Sequence, residues 1–166
     1  MKRESNTKFL VQAALIGAIY AALTYFSAPI SFGPMQFRIA EALCVLPVLT
    51  PAAVPGLAVG CVIANLGSPY GLADIICGAT ATLLAALCSR AARNIRFKNL
   101  PLLSLLFPVL FNGIIIGLEI TFFIPEDATF WAFLTSGAGV ALGELVSCYV
   151  LGLPLFAALS RTKIFN

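Results

Sequence analysis

Long apolar runs, separated by short turn-forming stretches, dominate the sequence. Runs such as FLVQAALIGAIYAALTYF and TATLLAALC are apolar all round and do not alternate between apolar and polar residues. Strands of a membrane β-barrel alternate with a period of two, whereas membrane-spanning helices need no such alternation. The pattern therefore predicts helices.

Prolines, glycines and charged residues divide the apolar runs into segments. APISFGP ends the first run, TPAAVPG and GSPYG separate the next three, and the basic stretch RAARNIRFKN and the acidic stretch IPEDAT flank the fifth. We predict helices over residues 9–27, 36–49, 52–66, 71–89, 101–123 and much of 130–159. The second and third are short for full crossings, so they either tilt or form a re-entrant hairpin.

Composition places these helices in a bilayer. Hydrophobic residues make up 60% of the chain and charged residues 10%, against about 25% charged residues in soluble domains. Since one crossing needs about 20 apolar residues, the 166 residues hold about six crossings and no separate soluble domain. We expect one all-α integral membrane domain over residues 1–166, a compact bundle of about six transmembrane helices.

Two other readings of the apolar segments are set aside. The five cysteines lie singly and without Cys-x-x-Cys spacing, which argues against a disulfide framework or a thiolate metal site. The basic start and apolar run at the N-terminus are similar to a signal peptide, but this run is too long and further membrane segments follow it. We therefore predict that it is the first helix.

Basic residues predict the orientation, because they are enriched in cytoplasmic loops. Apart from Arg38, they fall into three clusters, before the first helix, between the fourth and fifth helices, and after the last: Lys2, Arg3 and Lys8; Arg90, Arg93, Arg96 and Lys98; Arg161 and Lys163. Both termini are accordingly expected in the cytoplasm, and Gly33, Tyr70 and Glu126 outside. This holds whether the short segments cross the membrane or form a hairpin.

Charged and amide side chains within the apolar segments are the candidate functional residues. An ionised carboxylate at the bilayer centre costs about 2.5–3.5 kcal/mol, so such a group needs a partner. Arg38 and Glu41, three residues apart, either form a self-contained ion pair or line the mouth of a binding site. The candidate substrate-binding residues are Gln36, Arg38, Glu41, Asn65, Asp74, Asn112, Glu119 and Glu144.

The acids outnumber the cation that could neutralise them. Arg38 cannot neutralise Asp74, Glu119 and Glu144 together. This surplus favours a ligand that donates hydrogen bonds or carries positive charge, and it disfavours phosphate or a polycarboxylate.

Small residues accompany two of the acids on their predicted helix faces. Gly78 and Ala81 share a face with Asp74, and Gly137, Ala141 and Cys148 share one with Glu144. These faces could admit a flat ligand or serve close helix packing. Three small-residue motifs favour packing: Gly56-x-x-x-Gly60, Gly113-x-x-x-Gly117 and Gly139-x-x-x-Gly143.

No known catalytic motif is present. The sequence has no histidine, no Gly-x-x-x-x-Gly-Lys phosphate loop, no Gly-x-Ser-x-Gly elbow and no metal-ligand spacing. An intramembrane aspartic protease needs two membrane aspartates, but Asp74 is the only aspartate in an apolar segment. We expect neither enzyme activity nor a metal or cofactor. Transport is favoured, although the chain has no ATPase motif of its own.

Three strings carry a family resemblance over nearly the whole length: FGPMQFRIAEALCVLPVLTPAAVPGLAVGCVIANLGSPYGLADIICGATATLLAAL, PVLFNGIIIGL and VALGELVSCYVLGLPL. In these strings the chain resembles the QueT family, the queuosine-precursor substrate-binding (S) components of energy-coupling factor (ECF) transporters. The resemblance implies a six-helix S component in a bacterial cytoplasmic membrane that binds a 7-deazaguanine base near the extracellular face.

The resemblance also implies partners. A transmembrane T component and two cytoplasmic ATPases would tip the S component over to release its cargo, and no nucleic acid is implied. Members of this superfamily dock through an Ala-x-x-x-Ala motif on the first helix. Ala14, Ala18 and Ala22 match that motif here, with Ala13, Gly17 and Ala21 beside them.

A 7-deazaguanine suits the candidate side chains. Its ring N–H and exocyclic amine can donate together to one carboxylate, and an aminomethyl group would add a cation for a second acid. Its carbonyl and ring nitrogen need donors, for which Gln36, Arg38, Asn65 and Asn112 are candidates. Two alternatives remain: an S component for another vitamin-like heterocycle, and a non-transport membrane subunit whose charges are structural.

Overall fold

A computed structural model describes residues 2–31, 37–123 and 128–162. The candidate Gln36, like Gly33 and Glu126, lies outside the described residues. The helices in the described part are α1 (Lys2–Phe26), α2 (Ala28–Ser31), a central 3₁₀ helix (Ile39–Val48), α3 (Ala53–Asn65), α4 (Leu72–Ala91), α5 (Leu102–Phe123), α6 (Phe130–Leu145), a π segment (Val146–Leu151) and α7 (Gly152–Leu159). The prediction of an all-helical membrane protein is confirmed.

Four stretches are long and apolar enough to cross a membrane: Asn6–Phe26, Leu72–Ala91, Leu102–Phe123 and Phe130–Leu159. Each overlaps a predicted segment, because proline, glycine and charged residues end the apolar runs where the helices end. The last stretch is continuous but changes geometry, since the π segment separates α6 from α7. The described helices thus form a multi-pass membrane protein.

The second predicted segment lies at the centre of the bundle as a 3₁₀ helix. Residues 40–48 are all buried, and the helix contacts α1, α3, α4, α5, the π segment and α7. A helix that is apolar all round is expected in such a position. At about 2.0 Å per residue, this helix reaches about 20 Å, so it remains shorter than the roughly 30 Å hydrocarbon core.

Glycines allow two helix pairs to approach closely. A Cβ atom added to Gly17 of α1 would lie 2.8 Å from the carbonyl oxygen of Gly56 of α3. One added to Gly117 of α5 would lie 2.7 Å from the Cα atom of Gly137 of α6. The packing interpretation of Gly56-x-x-x-Gly60 and Gly113-x-x-x-Gly117 is therefore confirmed.

Basic residues in the last turn of α4 and in the loop that follows it hold one end of the bundle together. The Arg90 guanidinium donates to the carbonyl oxygens of Pro47 at 3.1 Å and Val48 at 3.4 Å, the last residues of the central 3₁₀ helix. A cation is favourable there because the final carbonyls of a helix lack partners within the helix. Arg96 lies 5.5 Å from the ring centre of Phe156 on α7.

Candidate functional site

Buried polar side chains converge inside the bundle. Seven of the eight candidate residues belong to the described part, and each is at most 2% exposed: Arg38, Glu41, Asn65, Asp74, Asn112, Glu119 and Glu144. They come from five helices and from the residue preceding the central 3₁₀ helix. Their burial among helices, away from lipid, is typical of functional polar groups in membrane proteins.

Arg38 is the cation of this cluster. Its Nη2 atom lies 3.4 Å from Oδ1 of Asp74, and its Nε donates to the carbonyl oxygen of Ser31 at 3.5 Å. The interpretation of Arg38 and Glu41 as a self-contained ion pair is wrong, because the ion pair in the described structure joins Arg38 to α4.

Glu41 is held by neighbouring side chains. One carboxylate oxygen accepts a hydrogen bond from the hydroxyl of Tyr20, and the other accepts from Sγ of Cys44 at 2.8 Å. Both oxygens therefore have partners within the bundle. The sequence analysis did not single out Tyr20 as a partner of Glu41. Its hydroxyl group, in the middle of an otherwise apolar first helix, was the feature that could have indicated this role.

Asn65 joins α3 to the start of α4. Its Nδ2 donates to the backbone carbonyl oxygen of Asp74 at 2.7 Å. A Cβ atom added to Gly78 would collide with this nitrogen, so the glycine makes room for the amide. Gly78 therefore lies against α3, as the packing interpretation of this face expects, whereas a flat ligand beside Asp74 stays a prediction.

Glu144 lies at the end of α6, beside the π segment. Its Oε2 accepts a weak hydrogen bond from Sγ of Cys148 at 3.8 Å. The Glu144 carboxylate forms no ion pair with any described residue. Gly137 and Ala141, predicted to leave space on its face, instead contact Gly113 of α5. Short π-helical stretches occur frequently at functional sites, and this one directly follows the acid.

Several buried polar atoms have no hydrogen-bond partner among the described residues. They are Asn65 Oδ1, Asp74 Oδ2, Thr82 Oγ1, Asn112 Nδ2, both carboxylate oxygens of Glu119, and Ser147 Oγ. Each such atom costs about 1–3 kcal/mol if nothing pairs with it, so a group of them calls for a specific explanation. Most of these atoms are carboxylate or amide oxygens, which accept hydrogen bonds, or hydroxyl groups, which can donate or accept. Asn112 Nδ2 is a donor.

The alanines proposed from the family motif lie on the surface. Ala14, Ala18 and Ala22 are exposed on α1, whereas Gly17 and Ala21 of the adjacent face are buried. Ala14 and Ala18 line an apolar groove of about 430 Å³ between α1 and α3, together with Pro55, Val59 and other apolar residues. Whether a partner subunit occupies this groove stays a prediction.

Comparison with known proteins gives a family match. A family model described as QueT transporter matches residues 10–161. A relative from Lactococcus lactis subsp. cremoris (strain MG1363), named Queuosine precursor transporter QueT, is 29% identical over 157 residues, which covers 89% of this chain and 90% of the relative. No solved structure matches the chain significantly.

Proposed function

The chain belongs to the QueT transporter family, and from this premise we propose that it is the substrate-binding subunit of an ECF-type importer for a 7-deazaguanine precursor of queuosine. Family membership makes it a transport protein and not an enzyme. The name of the Lactococcus relative supports the substrate. The observation that carries the proposal is the group of buried, unpartnered polar atoms inside the bundle.

These polar atoms, together with the buried Glu144 and Arg38 side chains, complement the hydrogen-bonding groups of a 7-deazaguanine. The base offers a ring N–H beside an exocyclic amine, and one carboxylate can accept from both. Glu144 is the proposed acceptor, because it is 2% exposed and forms no ion pair with the described residues. The unpartnered Nδ2 of Asn112 and the Arg38 guanidinium are the proposed donors to the carbonyl and ring nitrogen.

The other candidates divide into two groups. Asn65, Asp74 and Glu119 carry unpartnered oxygens and remain in the proposed site, as does Gln36 on the grounds of sequence alone. Glu41 has both oxygens occupied by Tyr20 and Cys44, so we assign it to the wall of the site.

Energy for uptake would come from partner subunits in the bacterial cytoplasmic membrane. The sequence contains no phosphate loop of its own. The exposed Ala14, Ala18 and Ala22 would dock against a transmembrane T component, which in turn binds two cytoplasmic ATPases. Small exposed residues suit this contact because they let helix backbones approach closely.

Transport and mass spectrometry test the proposal. Cells that make this chain alone should bind the base without accumulating it, and adding the T component and both ATPases should give ATP-dependent uptake. Accumulation by the solitary chain would contradict ECF assembly. Mass spectrometry of ligand that copurifies should identify a 7-deazaguanine; tight binding of thiamine or riboflavin instead would contradict the substrate.

A further inference from the structure

We infer that a surface groove between α1, the central 3₁₀ helix and α7 binds one acyl chain of an anionic phospholipid, whose headgroup lies against Lys8 and Arg161. This lipid groove shares no lining residue with the groove between α1 and α3. None of the candidate binding residues that the structure describes lines it. The inference therefore adds a lipid partner and does not depend on which substrate the protein transports.

The lipid groove has a hydrocarbon lining. Its volume is about 580 Å³, and every lining side chain other than Gln12 is leucine, isoleucine or alanine. Leu15 is 58% exposed and Ile19 is 41% exposed, so the groove opens to the outside of the bundle. Further lining residues are Leu23 of α1, Leu43 and Leu46 of the central 3₁₀ helix, and Leu155 of α7. An apolar surface of this kind is suited to an acyl chain.

The length of the groove matches one leaflet of a bilayer. Its lining residues on α1 extend from Gln12 to Leu23, which is about 16 Å at about 1.5 Å per residue. One leaflet contributes about 15 Å to a hydrocarbon core of about 30 Å. A partner helix that crosses the whole bilayer would leave about half of its length outside the groove, whereas an acyl chain from one leaflet fits along all of it.

One end of the groove is polar. Oε1 of Gln12 accepts a hydrogen bond from the hydroxyl of Thr50 at 3.2 Å, and Thr50 follows the central 3₁₀ helix. The Arg90 guanidinium binds the last carbonyl groups of that helix, so it lies at the same end of the bundle. Polar side chains of this kind indicate where the hydrocarbon ends. The headgroup should therefore lie beyond Gln12, with the acyl chain directed towards Leu23.

Two cations stand next to this polar end. Lys8 precedes Gln12 by one helical turn and shares the α1 face of Gln12, Leu15 and Ile19. Arg161 follows Leu159, a lining residue of α7, by two positions. Both side chains are exposed. Arginine binds phosphate through two parallel hydrogen bonds and lysine binds it as a point charge, so the pair suits a phosphate headgroup.

The wider surface at this end is basic as well. Glu4 is the only acid within the three basic clusters of the sequence, and anionic lipids are attracted to such juxtamembrane basic clusters. Basic loops also determine the orientation of a membrane protein, but orientation requires no groove beside them. A groove of one-leaflet length, with a polar end and two adjacent cations, indicates a phospholipid more specifically than the charge alone.

Native mass spectrometry of the purified full-length protein in detergent tests the inference, with phosphatidylglycerol and phosphatidylcholine of identical acyl chains as probes. The protein should bind phosphatidylglycerol about tenfold more tightly, because each basic residue near an anionic headgroup contributes about fivefold and salt screens part of this effect. Excess glycerol phosphate should not displace the lipid. Equal affinities, or displacement by glycerol phosphate, would overturn the inference.

Leu15→Trp tests the groove, because the indole ring should fill it and weaken the binding of both lipids. Leu142→Trp is the matched control, since Leu142 is 55% exposed and lies on α6 outside this groove; both lipids should still bind. Unchanged lipid binding in Leu15→Trp would overturn the inference. If this variant also lost copurification of a T component, the groove would belong to a protein partner.

The double variant Lys8→Gln and Arg161→Gln tests the headgroup contact. Its affinity for phosphatidylglycerol should fall to that for phosphatidylcholine, which should stay unchanged. Arg96→Gln with Lys98→Gln removes the same charge from exposed positions in the loop between α4 and α5 and should keep the preference. Equal loss of the preference in both double variants would make net charge the cause and overturn the assignment.

Discussion

The hydroxyl of Tyr20 donates a hydrogen bond to the carboxylate of Glu41 and thereby joins α1 to the central 3₁₀ helix. Both side chains are fully buried, and Cys44 donates to the second carboxylate oxygen. With one hydrogen bond on each oxygen, Glu41 has fewer acceptor sites left than Glu119, whose two oxygens have no partner among the described residues. The pair therefore gives Glu41 a role in supporting the fold.

Tyr20→Phe should destabilise the protein by about 1–3 kcal/mol, because the ring volume is kept but a buried carboxylate oxygen loses its donor. Thermal unfolding of the ligand-free protein in detergent measures this effect. Tyr25→Phe is the matched control, since Tyr25 donates to the carbonyl of Ile63 but is exposed. Equal destabilisation by the two variants would contradict the role given to Tyr20.

Much of the helical architecture followed from the sequence. The four long spans were predictable because GSPYG, RAARNIRFKN and IPEDAT end apolar runs of sufficient length. The 3₁₀ geometry of Ile39–Val48 was not predictable, because a short segment that is apolar all round has no periodicity that distinguishes one helix type from another. The π segment was missed for the same reason.

The sequence identified buried polar residues better than it identified their partners. Arg38 and the acids were chosen as candidates because charge is costly in a bilayer, and those that the structure describes are buried. The pairing of Arg38 with Asp74 could not be predicted, because it depends on how the central helix sits beside α4. The same applies to Gly78, whose neighbour is the amide of Asn65.

Arg90→Met should lower stability by about 1.5–3 kcal/mol, because it removes a charged donor from the carbonyl groups of Pro47 and Val48 while keeping an apolar side chain. Arg90→Lys should recover part of the loss, since it restores the charge but not the planar fork. Thermal unfolding checks both variants. Arg161→Met, at an exposed position, should have little effect; if it destabilised the protein equally, net charge would be the cause.

Ala18→Trp should prevent assembly with the T component while sparing ligand binding, because Ala18 is exposed and lines a surface groove, whereas the described candidate binding residues are buried. Copurification of the T component and ATPases measures assembly, and calorimetry measures binding. Ala138→Trp is the matched control on α6, since Ala138 is also exposed and lines a groove between α5 and α6. Normal assembly of Ala18→Trp would place the docking surface elsewhere.

Glu144→Gln should separate a binding role from a structural one. The substitution keeps the size of the side chain but removes the charge and one acceptor of the two-pronged contact with the base. Losing a charge-assisted hydrogen bond costs about 1.5–3 kcal/mol, which corresponds to roughly tenfold to a hundredfold in affinity.

The apo protein should keep its melting temperature in this variant. Arg38 has its ion pair with Asp74, so removing the charge of Glu144 leaves no buried arginine without its partner, an event that would cost about 3–5 kcal/mol. The weak 3.8 Å contact with Cys148 is the described interaction most affected. Thermal unfolding without ligand and calorimetry with the base, on one preparation, distinguish the roles. Weakened binding with an unchanged melting temperature places Glu144 in the site, whereas unchanged affinity removes it, and a lower melting temperature with lost binding makes its role structural.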